Sequence, residues 1–272
     1  MRLLSRLFRR RKPRLLGVLL CYNDGDILAN SIEALLESGH EIVVWDHGSD
    51  DTTPQVLDRY NRYFRERRFI PREVDFYGLY QAMSENLLRS HVASFDWVTW
   101  PDQDEIPEGP DRSRPYTSFV EEVLESEHSW VRFHNFNFWF TSADDPAVSD
   151  PVKRVRHYAL FPDCAPRIRA WRASATNIRV FNHNPPEGTP WPEPFCLRHY
   201  PMRDLAQMRR RLEKDRAGLE RDGANYHYEN MKRAEQRLII PPSSLHLDDG
   251  VSDLDPSPVF NWREIYGHGP SR

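Results

Sequence analysis

Short apolar runs alternate with amphipathic stretches through the first part of the chain. Four of the apolar runs predict buried strands, at residues 15–21, 41–45, 69–74 and 95–100. The stretches between them carry apolar residues at helical spacing, and Asp26 and Thr53 stand at positions suited to helix caps. Strands that alternate with helices through short connections predict a doubly wound α/β unit with a mostly parallel central sheet.

The pattern is less regular in the second half. A helix is predicted over residues 116–127, and alternating aromatic side chains predict a strand over 130–140. A charged helix is expected from Leu205 to about Asp222, and Asp204 with Gln207 can form its capping box. The expected organisation is a basic tail at residues 1–14, a single domain at 15–240 and an irregular tail at 241–272.

Length and charge limit the classes of protein that need considering. With 272 residues, the chain can form one large domain or two small ones. The net charge of -4 argues against a dedicated nucleic-acid-binding protein, which would carry a strong basic patch. The cysteines Cys21, Cys164 and Cys196 are odd in number and far apart, which favours a reducing compartment such as the cytoplasm over a disulfide framework.

The basic segment 1–14 permits three interpretations. It lacks the apolar stretch of a signal peptide, and no apolar run in the chain approaches the ~20 residues of a membrane span. Leucine and phenylalanine could form one helical stripe with arginine opposite, which would suit peripheral contact with an anionic membrane surface. A disordered basic tail and a transit peptide are the alternatives.

Three polar clusters follow predicted strands, at residues 22–26, 46–53 and 102–105. In a parallel sheet, ligands bind outside the carboxyl ends of the strands. If the strands are parallel, the three clusters therefore converge on one crevice, and that crevice is the candidate site.

The cluster Asp102-Gln103-Asp104-Glu105 places three carboxylates within four residues. No lysine or arginine occurs in residues 90–111 to neutralise them. Crowded carboxylates either retain a proton or bind a cation, and oxygen ligands suit Mg²⁺, Mn²⁺ or Ca²⁺. An EF-hand fits poorly, because Pro107 stands where that loop needs glycine. A solvated acidic turn is the alternative.

Four sequence segments occur in this order along the chain: residues 19–23, 45–52, 96–105 and 198–203. They resemble the family 2-like glycosyltransferases with the GT-A fold, in particular the bacterial branch that carries Asp-x-Asp-Glu after an Asp-Trp strand. The late segment Arg198-His199-Tyr200-Pro201-Met202-Arg203 is similar to that branch's His-Tyr-Pro-x-Arg motif. The resemblance implies a nucleotide-binding half at 15–115 and an acceptor-side half at 116–240.

The resemblance also implies an activity and a set of site residues. The expected reaction moves a sugar from a nucleotide-sugar donor to an acceptor hydroxyl, with Mn²⁺ or Mg²⁺, in the synthesis of a cell-envelope glycan. The acceptor would be a glycan, a lipid-linked molecule or a protein. The implied metal ligands are Asp102, Asp104 and His199. The implied nucleotide-sugar ligands are Tyr22, Asn23, Asp46, Asp51, Asp102, Arg203 and Lys214. Glu105 would support the metal site. His47 stands where many relatives carry an aspartate, so the nucleobase is left open.

Further candidates complete this picture. An inverting transfer needs a general base, and Asp145 is the candidate among the loop carboxylates, although Asp144-Asp145-Pro146 also suits a plain turn. A retaining enzyme needs no such base. Three arginines could clamp phosphates or an anionic acceptor, or could form a solvated strand face: Arg167, Arg169 and Arg172.

Two other functions compete with glycosyl transfer. A nucleotidyltransferase would carry a glycine-rich loop with a nearby cation after the first strand, whereas residues 21–25 contain one glycine and no cation. A non-catalytic carbohydrate-binding protein on a degenerate enzyme fold would not need the acidic and histidine motifs, and both are intact.

Overall fold

A computed structural model describes residues 11–161, 167–176, 186–210 and 240–259. The strands are β1 (Leu15–Cys21), β2 (His40–Asp46), β3 (Phe64–Phe69), β4 (Trp97–Thr99), β5 (Glu105–Glu108), β6 (Trp130–Trp139), β7 (His157–Leu160), β8 (Arg167–Arg172), β9 (Phe195–Met202) and β10 (His246–Leu247). The helices are α1 (Leu28–Glu37), α2 (Thr53–Tyr60), α3 (Phe76–Ser90), α4 (Tyr116–Glu125) and α5 (Pro151–Arg154). Residues 205–210 are also helical.

The N-terminal half is a parallel sheet in the order β4-β1-β2-β3. Helices α1 and α2 cover one face, where Ile32 and Leu57 pack with Leu19 and Val44. Helix α3 covers the opposite face, where Met83 is part of the other main cluster. Strands buried on both faces need continuous apolar runs, and this is why β1 and β2 read as uninterrupted hydrophobic segments.

The C-terminal half extends the same sheet with mixed pairing. Strand β8 runs antiparallel to both β4 and β6, and β6 also pairs with β7 antiparallel and with β9 parallel. Strand β5, which begins inside the acidic motif, pairs antiparallel with β9 and places Glu105 opposite His199. The predicted α/β fold, with a parallel central sheet and a smaller mixed part, is confirmed.

The third strand lies earlier than predicted. Strand β3 occupies residues 64–69 instead of 69–74. The sequence of β3 is dominated by arginine and glutamate because this strand lies at the end of the sheet, where one side needs no burial. Arg65 pairs with Glu41 at 2.9 Å. A charged edge strand has no apolar signal, so the hydrophobic pattern missed it.

The segment that begins at residue 241 is less irregular than predicted. Strand β10 pairs with β7, and Asp248 is 4% exposed and accepts hydrogen bonds from Arg112 at 2.8 Å and Arg198 at 2.7 Å. Residues 240–259 are therefore attached to the rest of the protein by a strand pairing and a buried ionic cluster. None of the helices in the described ranges combines the length and the apolar character that crossing a bilayer requires.

Candidate active site

The polar segments after β1 and β4 meet at one edge of the sheet. The chain runs from β1 outward to β2 and β3, then returns to β4 on the other side of β1, so the topology switches between β1 and β4. Across this switch point, Gln103 Oε1 accepts a hydrogen bond from Tyr22 N at 2.7 Å, and Gln103 Nε2 donates to Tyr22 O at 3.2 Å. The acidic motif is thereby fastened to the first polar loop.

The segment after β1 is also tied to the segment after β2. Asn23 has a φ of 54° and donates its N–H to Ser49 Oγ at 3.0 Å, and its side-chain amide exchanges two hydrogen bonds with Asp50. Asparagine tolerates this left-handed conformation better than most residues. Gly25 N donates to Asp51 Oδ2 at 3.0 Å. The predicted convergence of the three polar segments is therefore confirmed.

Several predicted nucleotide-sugar ligands hold these loops in shape. Asp46 is 4% exposed, and its Oδ1 accepts from Ser49 N at 3.1 Å and from Ser49 Oγ at 2.6 Å. Asp51 Oδ1 accepts from Thr53 N at 2.8 Å, in addition to the bond from Gly25. A contact of Asp46 or Asp51 with a nucleoside stays a prediction.

The half-buried ring of Tyr22 lies beside the side chains of His47 and Arg72. Its centroid is 6.0 Å from that of His47, and the Arg72 guanidinium lies 5.3 Å from the ring. The His47 ring nitrogen Nε2 is 2.9 Å from Val74 O, in the loop after β3. His47 therefore belongs to the same polar edge.

Two of the three carboxylates of the acidic motif are neutralised by arginines of β8. Arg169 pairs with Asp102 and also with Glu105, whose Oε2 lies 2.7 Å from Arg169 Nε. Arg167 Nη1 lies 2.6 Å from Glu105 Oε1 and 3.3 Å from Asp102 Oδ2. No lysine or arginine lies near the motif in sequence, but these two arginines neutralise its acids in the folded protein. The two arginines follow the motif by 62 to 67 residues and reach it through the pairing of β8 with β4.

This arginine–carboxylate cluster changes three assignments. Arg167 and Arg169 bind the protein's own carboxylates, which contradicts their predicted use as a free phosphate clamp. Burial opposes the ionisation of Glu105, but the two guanidinium groups outweigh it and hold the pKa of Glu105 below its usual value. The fully buried Glu105 is therefore an ion-pair partner, and Asp102 presents its Oδ2 to the arginines.

The third carboxylate of the motif faces a histidine. Asp104 Oδ2 lies 3.6 Å from His199 Nε2, and both residues are buried, with 6% and 7% exposed. Tyr200 N donates to Asp104 O at 2.9 Å, which anchors the motif to β9. Asn137 Oδ1 lies 2.8 Å from His199 Nδ1, and Arg203 Nη1 is 3.9 Å from Asp104 Oδ2. Two of the three predicted metal ligands are thus brought together.

Asp104 and His199 suit a divalent cation by their donor atoms. In the described part of the chain, no three side chains of histidine, cysteine, aspartate and glutamate form a metal-binding group. A carboxylate oxygen and an imidazole nitrogen would fit an ion that takes its other ligands from water and a diphosphate, as Mg²⁺ commonly does. Mn²⁺ accepts the same oxygen ligands. Asp102 as a third ligand stays a prediction.

Comparison with known proteins agrees with this geometry. Residues 18–114, which include the three polar segments, match the family described as Glycosyl transferase family 2. This segment is therefore similar to the family 2 glycosyltransferases. It contains the whole parallel half of the sheet except the first three residues of β1. No match was found among curated protein sequences.

The chain also aligns with solved structures. S. aureus TarS aligns over 81% of this chain and 42% of its own, with 12% identity and a TM-score of 0.40. TarS 1-349 in complex with UDP aligns over 81% of this chain and 70% of its own, with 12% identity and a TM-score of 0.42. The glucosyl-3-phosphoglycerate synthase from Mycobacterium tuberculosis, in complex with Mg2+ and UDP, aligns over 45% and 44%, with 18% identity and a TM-score of 0.28. The chain thus spans less than half the length of TarS.

Arg203 has different partners from those expected of a diphosphate ligand. Its side chain is fully buried, pairs with Asp24, and places Nε 2.7 Å from Asp26 Oδ2. Nη1 donates to Tyr200 O at 2.8 Å. Asp26, predicted as the cap of α1, binds this arginine instead, and the N-cap residue of α1 is Ile27. Arg203 joins the late motif to the segment after β1 from inside the protein.

The start of the late helix agrees partly with its prediction. Asp204 Oδ1 accepts from Gln207 N at 2.8 Å, as in a capping box, while Gln207 Oε1 accepts from Arg203 N at 3.2 Å, one residue before the expected donor. Helical structure continues to residue 210. Lys214, predicted to contact the diphosphate, lies outside the described residues.

Arg172 is a helix cap and not a phosphate ligand. Its Nη2 donates to Val123 O and to Ser126 O, each at 2.7 Å, and its Nε donates to His128 O at 2.6 Å. These carbonyls stand at and just beyond the end of α4, where a helix leaves acceptors unsatisfied. Of the two uses that the sequence allowed, a phosphate clamp and a solvated strand face, Arg172 shows neither.

Asp145, the candidate general base, lies in an exposed turn. Its Oδ1 accepts from Ala147 N at 2.9 Å, and Val148 N donates to Asp145 O at 3.1 Å. The neighbouring Asp144 is directed inward and accepts from Thr141 Oγ1 at 3.1 Å. The turn that the sequence allowed is present, and the catalytic role of Asp145 stays a prediction.

Sequence reasoning missed three residues that organise the site. Gln103 occupies the variable position of the Asp-x-Asp triplet, and its amide can donate and accept at once, which is a usable signal. Asp24 binds Arg203 and Gln103, but a turn aspartate is too common to stand out. Asn137 lies inside an aromatic strand, where a buried amide should have drawn attention because it needs partners.

Proposed function

We propose that the protein is a metal-dependent glycosyltransferase that moves a sugar from a nucleotide-sugar to an acceptor hydroxyl. The observation that carries the proposal is the meeting of Asp104 and His199, 3.6 Å apart, beside Gln103, which binds the loop after β1. The match of residues 18–114 to Glycosyl transferase family 2 supports the reaction class. The donor atoms of the two side chains support the metal.

The residues have distinct tasks in this reaction. Asp104 and His199 would hold a divalent cation, which when bound supplies a Lewis acid for the charge that develops on the leaving diphosphate. The arginines of β8 hold the side chains of Asp102 and Glu105 through ion pairs, so the motif's backbone stays in place. Gln103 couples that backbone to the first polar loop. Preorganised groups of this kind lower the barrier because they need not reorient during the reaction.

The nucleoside would lie along the loops after β1 and β2, near Tyr22, Asn23, Asp46 and Asp51. The hydrogen bonds between these loops support this, since they give the edge one defined shape before any ligand binds. Arg203 and Lys214 remain proposed contributors, with Arg203 acting through Asp24 and Asp26.

We retain Asp145 as the candidate general base for an inverting transfer. Asparagine preserves the turn, because it forms the same side-chain bond to the backbone. Asp145→Asn should therefore leave the fold unchanged and lower kcat by roughly 10²-fold or more. Steady-state kinetics alongside a thermal unfolding curve checks this, and an unchanged kcat would remove Asp145 from the reaction.

The acceptor and location are also part of the proposal. By resemblance, the acceptor is a cell-envelope glycan, a lipid-linked molecule or a protein. Cys21 and Cys196 are buried and free, which suits the reducing cytoplasm. The basic tail 1–14 would provide peripheral contact with an anionic membrane. Of this tail, Arg11 pairs with Asp96 and Arg14 with Glu41.

Donor screening tests the activity directly. The full chain is incubated with a panel of nucleotide-sugars and Mn²⁺ or Mg²⁺, and the products are separated by mass. Release of a nucleoside diphosphate with transfer or hydrolysis of the sugar is expected. In a parallel incubation with a nucleoside triphosphate and a sugar phosphate, release of pyrophosphate would instead indicate a nucleotidyltransferase. Sugar binding without any turnover would indicate the non-catalytic alternative.

A further inference from the structure

The imidazole of His199 has a partner on each side. Strands β6 and β9 run parallel, and their register places Asn137 beside His199. Asn137 Oδ1 lies 2.8 Å from His199 Nδ1, while Nε2 points to Asp104 Oδ2 at 3.6 Å. All three side chains are buried, with 6% of Asn137, 7% of His199 and 6% of Asp104 exposed.

The two contacts assign the ring proton. A carbonyl oxygen of an amide only accepts, so the contact at 2.8 Å requires the hydrogen on Nδ1. A neutral imidazole then carries its lone pair on Nε2, the nitrogen that faces Asp104. The separation of 3.6 Å between Nε2 and the carboxylate oxygen exceeds the 2.7–3.2 Å range of an N–H···O hydrogen bond. Two acceptors thus face each other across the position where a cation would bind both.

We propose that Asn137 is a positioning residue that holds His199 as the Nδ1–H tautomer and so presents Nε2 as a metal ligand beside Asp104. Histidine ligands commonly donate their second ring N–H to an oxygen that fixes the ring, and this oxygen tunes metal affinity. Here the strand register supplies that oxygen. The proposal rests on the proposed function only for what the bound ion is used for.

The position of the amide makes the assignment stable. Asn137 belongs to a ten-residue strand that pairs with three neighbours, so its backbone cannot shift independently. Without the Asn137 oxygen, the ring could rotate or carry its proton on Nε2, and that proton would occupy the lone pair needed by the metal. Imidazole nitrogen is a better ligand for Mn²⁺ than for Mg²⁺, which prefers oxygen. Losing the nitrogen ligand should therefore weaken Mn²⁺ more than Mg²⁺.

Nitrogen NMR of ¹⁵N-histidine-labelled full-length protein tests the tautomer without any turnover. The His199 signals, assigned through His199→Gln, should show a protonated Nδ1 and an unprotonated Nε2 in the metal-free wild type. Mn²⁺ should broaden them. In Asn137→Ala the Nδ1–H tautomer should be lost, and the affinity for Mn²⁺, followed by calorimetry, should fall about 10-fold to 100-fold. The affinity for Mg²⁺ should fall less. Asn137→Asp keeps an accepting oxygen and should retain the tautomer.

Asn135→Ala is the matched control. Asn135 lies two residues earlier on the same strand, is 4% exposed, and its side-chain amide has no hydrogen-bond partner in the described ranges. It should lose the same atoms without changing the His199 spectrum or Mn²⁺ binding. An unchanged tautomer in Asn137→Ala, or a doubly protonated ring in the wild type, would overturn the proposal. So would a wild type that binds no Mn²⁺. Mn²⁺ binding with the expected tautomer but no sugar transfer would reject only the proposed function.

Discussion

The three carboxylates of the acidic motif have two different electrostatic surroundings. Asp102 and Glu105 are matched by Arg167 and Arg169, so their charges are balanced within the protein. Asp104, between them in sequence, faces a histidine nitrogen at 3.6 Å, with Nη1 of Arg203 at 3.9 Å. A compensated pair is a structural element, whereas two facing acceptors are suited to hold a cation. Neighbouring residues of one motif therefore serve different purposes.

The largest effect is expected on the activity of Asp104→Ala. Asp104→Ala should abolish metal-dependent activity, by about 10³-fold or more in kcat, because it removes the carboxylate that would hold the ion. The fold should remain, since the main-chain bond from Tyr200 N to Asp104 O does not involve the side chain. Kinetics and thermal unfolding of the same preparation measure both quantities. Full turnover by this variant would reject the metal role of Asp104.

The next largest effect is expected for Arg169→Ala, which should lower the free energy of unfolding. Arg169→Ala leaves the fully buried Glu105 with only part of its compensation, and breaking a buried ion pair costs about 3–5 kcal/mol. Urea unfolding measures this loss. Combining the change with Glu105→Gln should recover part of it, since the uncompensated charge is then gone. A loss below about 1 kcal/mol would mean that the cluster is not a structural element.

His199→Ala distinguishes a ligand from a core residue. If Nε2 binds the ion, the affinity for Mn²⁺ or for a nucleoside diphosphate with Mn²⁺ should fall more than tenfold, which corresponds to about 1.4 kcal/mol or more. Calorimetry of the variant and the wild type gives the ratio. An unchanged affinity would place His199 with the buried structural residues and remove the contrast between the two pairs.

The smallest effect is expected for Arg172→Ala, which removes a positive charge from the same strand as Arg169. Here the guanidinium caps α4, so the variant should lose about 1 kcal/mol of stability and retain its activity and metal affinity. Urea unfolding and kinetics provide the comparison. A large loss of activity with little loss of stability would restore the predicted phosphate-clamp role.

Local patterns predicted the parts of the fold in which burial is uniform. Strands β1 and β2 are apolar along their length because helices cover both faces, and their order along the chain implied a parallel sheet with its polar loops at one edge. Strand β3 escaped prediction because an edge strand can be charged. The acidic triplet and the late histidine were visible as residues, and their meeting followed from the resemblance and not from any periodicity.

By itself, the sequence determined the apolar periodicity and the order of the strands, and these are enough to bring three polar loops to one edge. It did not determine which charges compensate one another. Arg169 reaches Asp102 and Glu105 only because β8 lies antiparallel beside β4, and Asn137 reaches His199 only through the register of β6 with β9. Electrostatic and hydrogen-bond partners depend on distances of a few ångströms in space, and long-range strand pairing sets those distances.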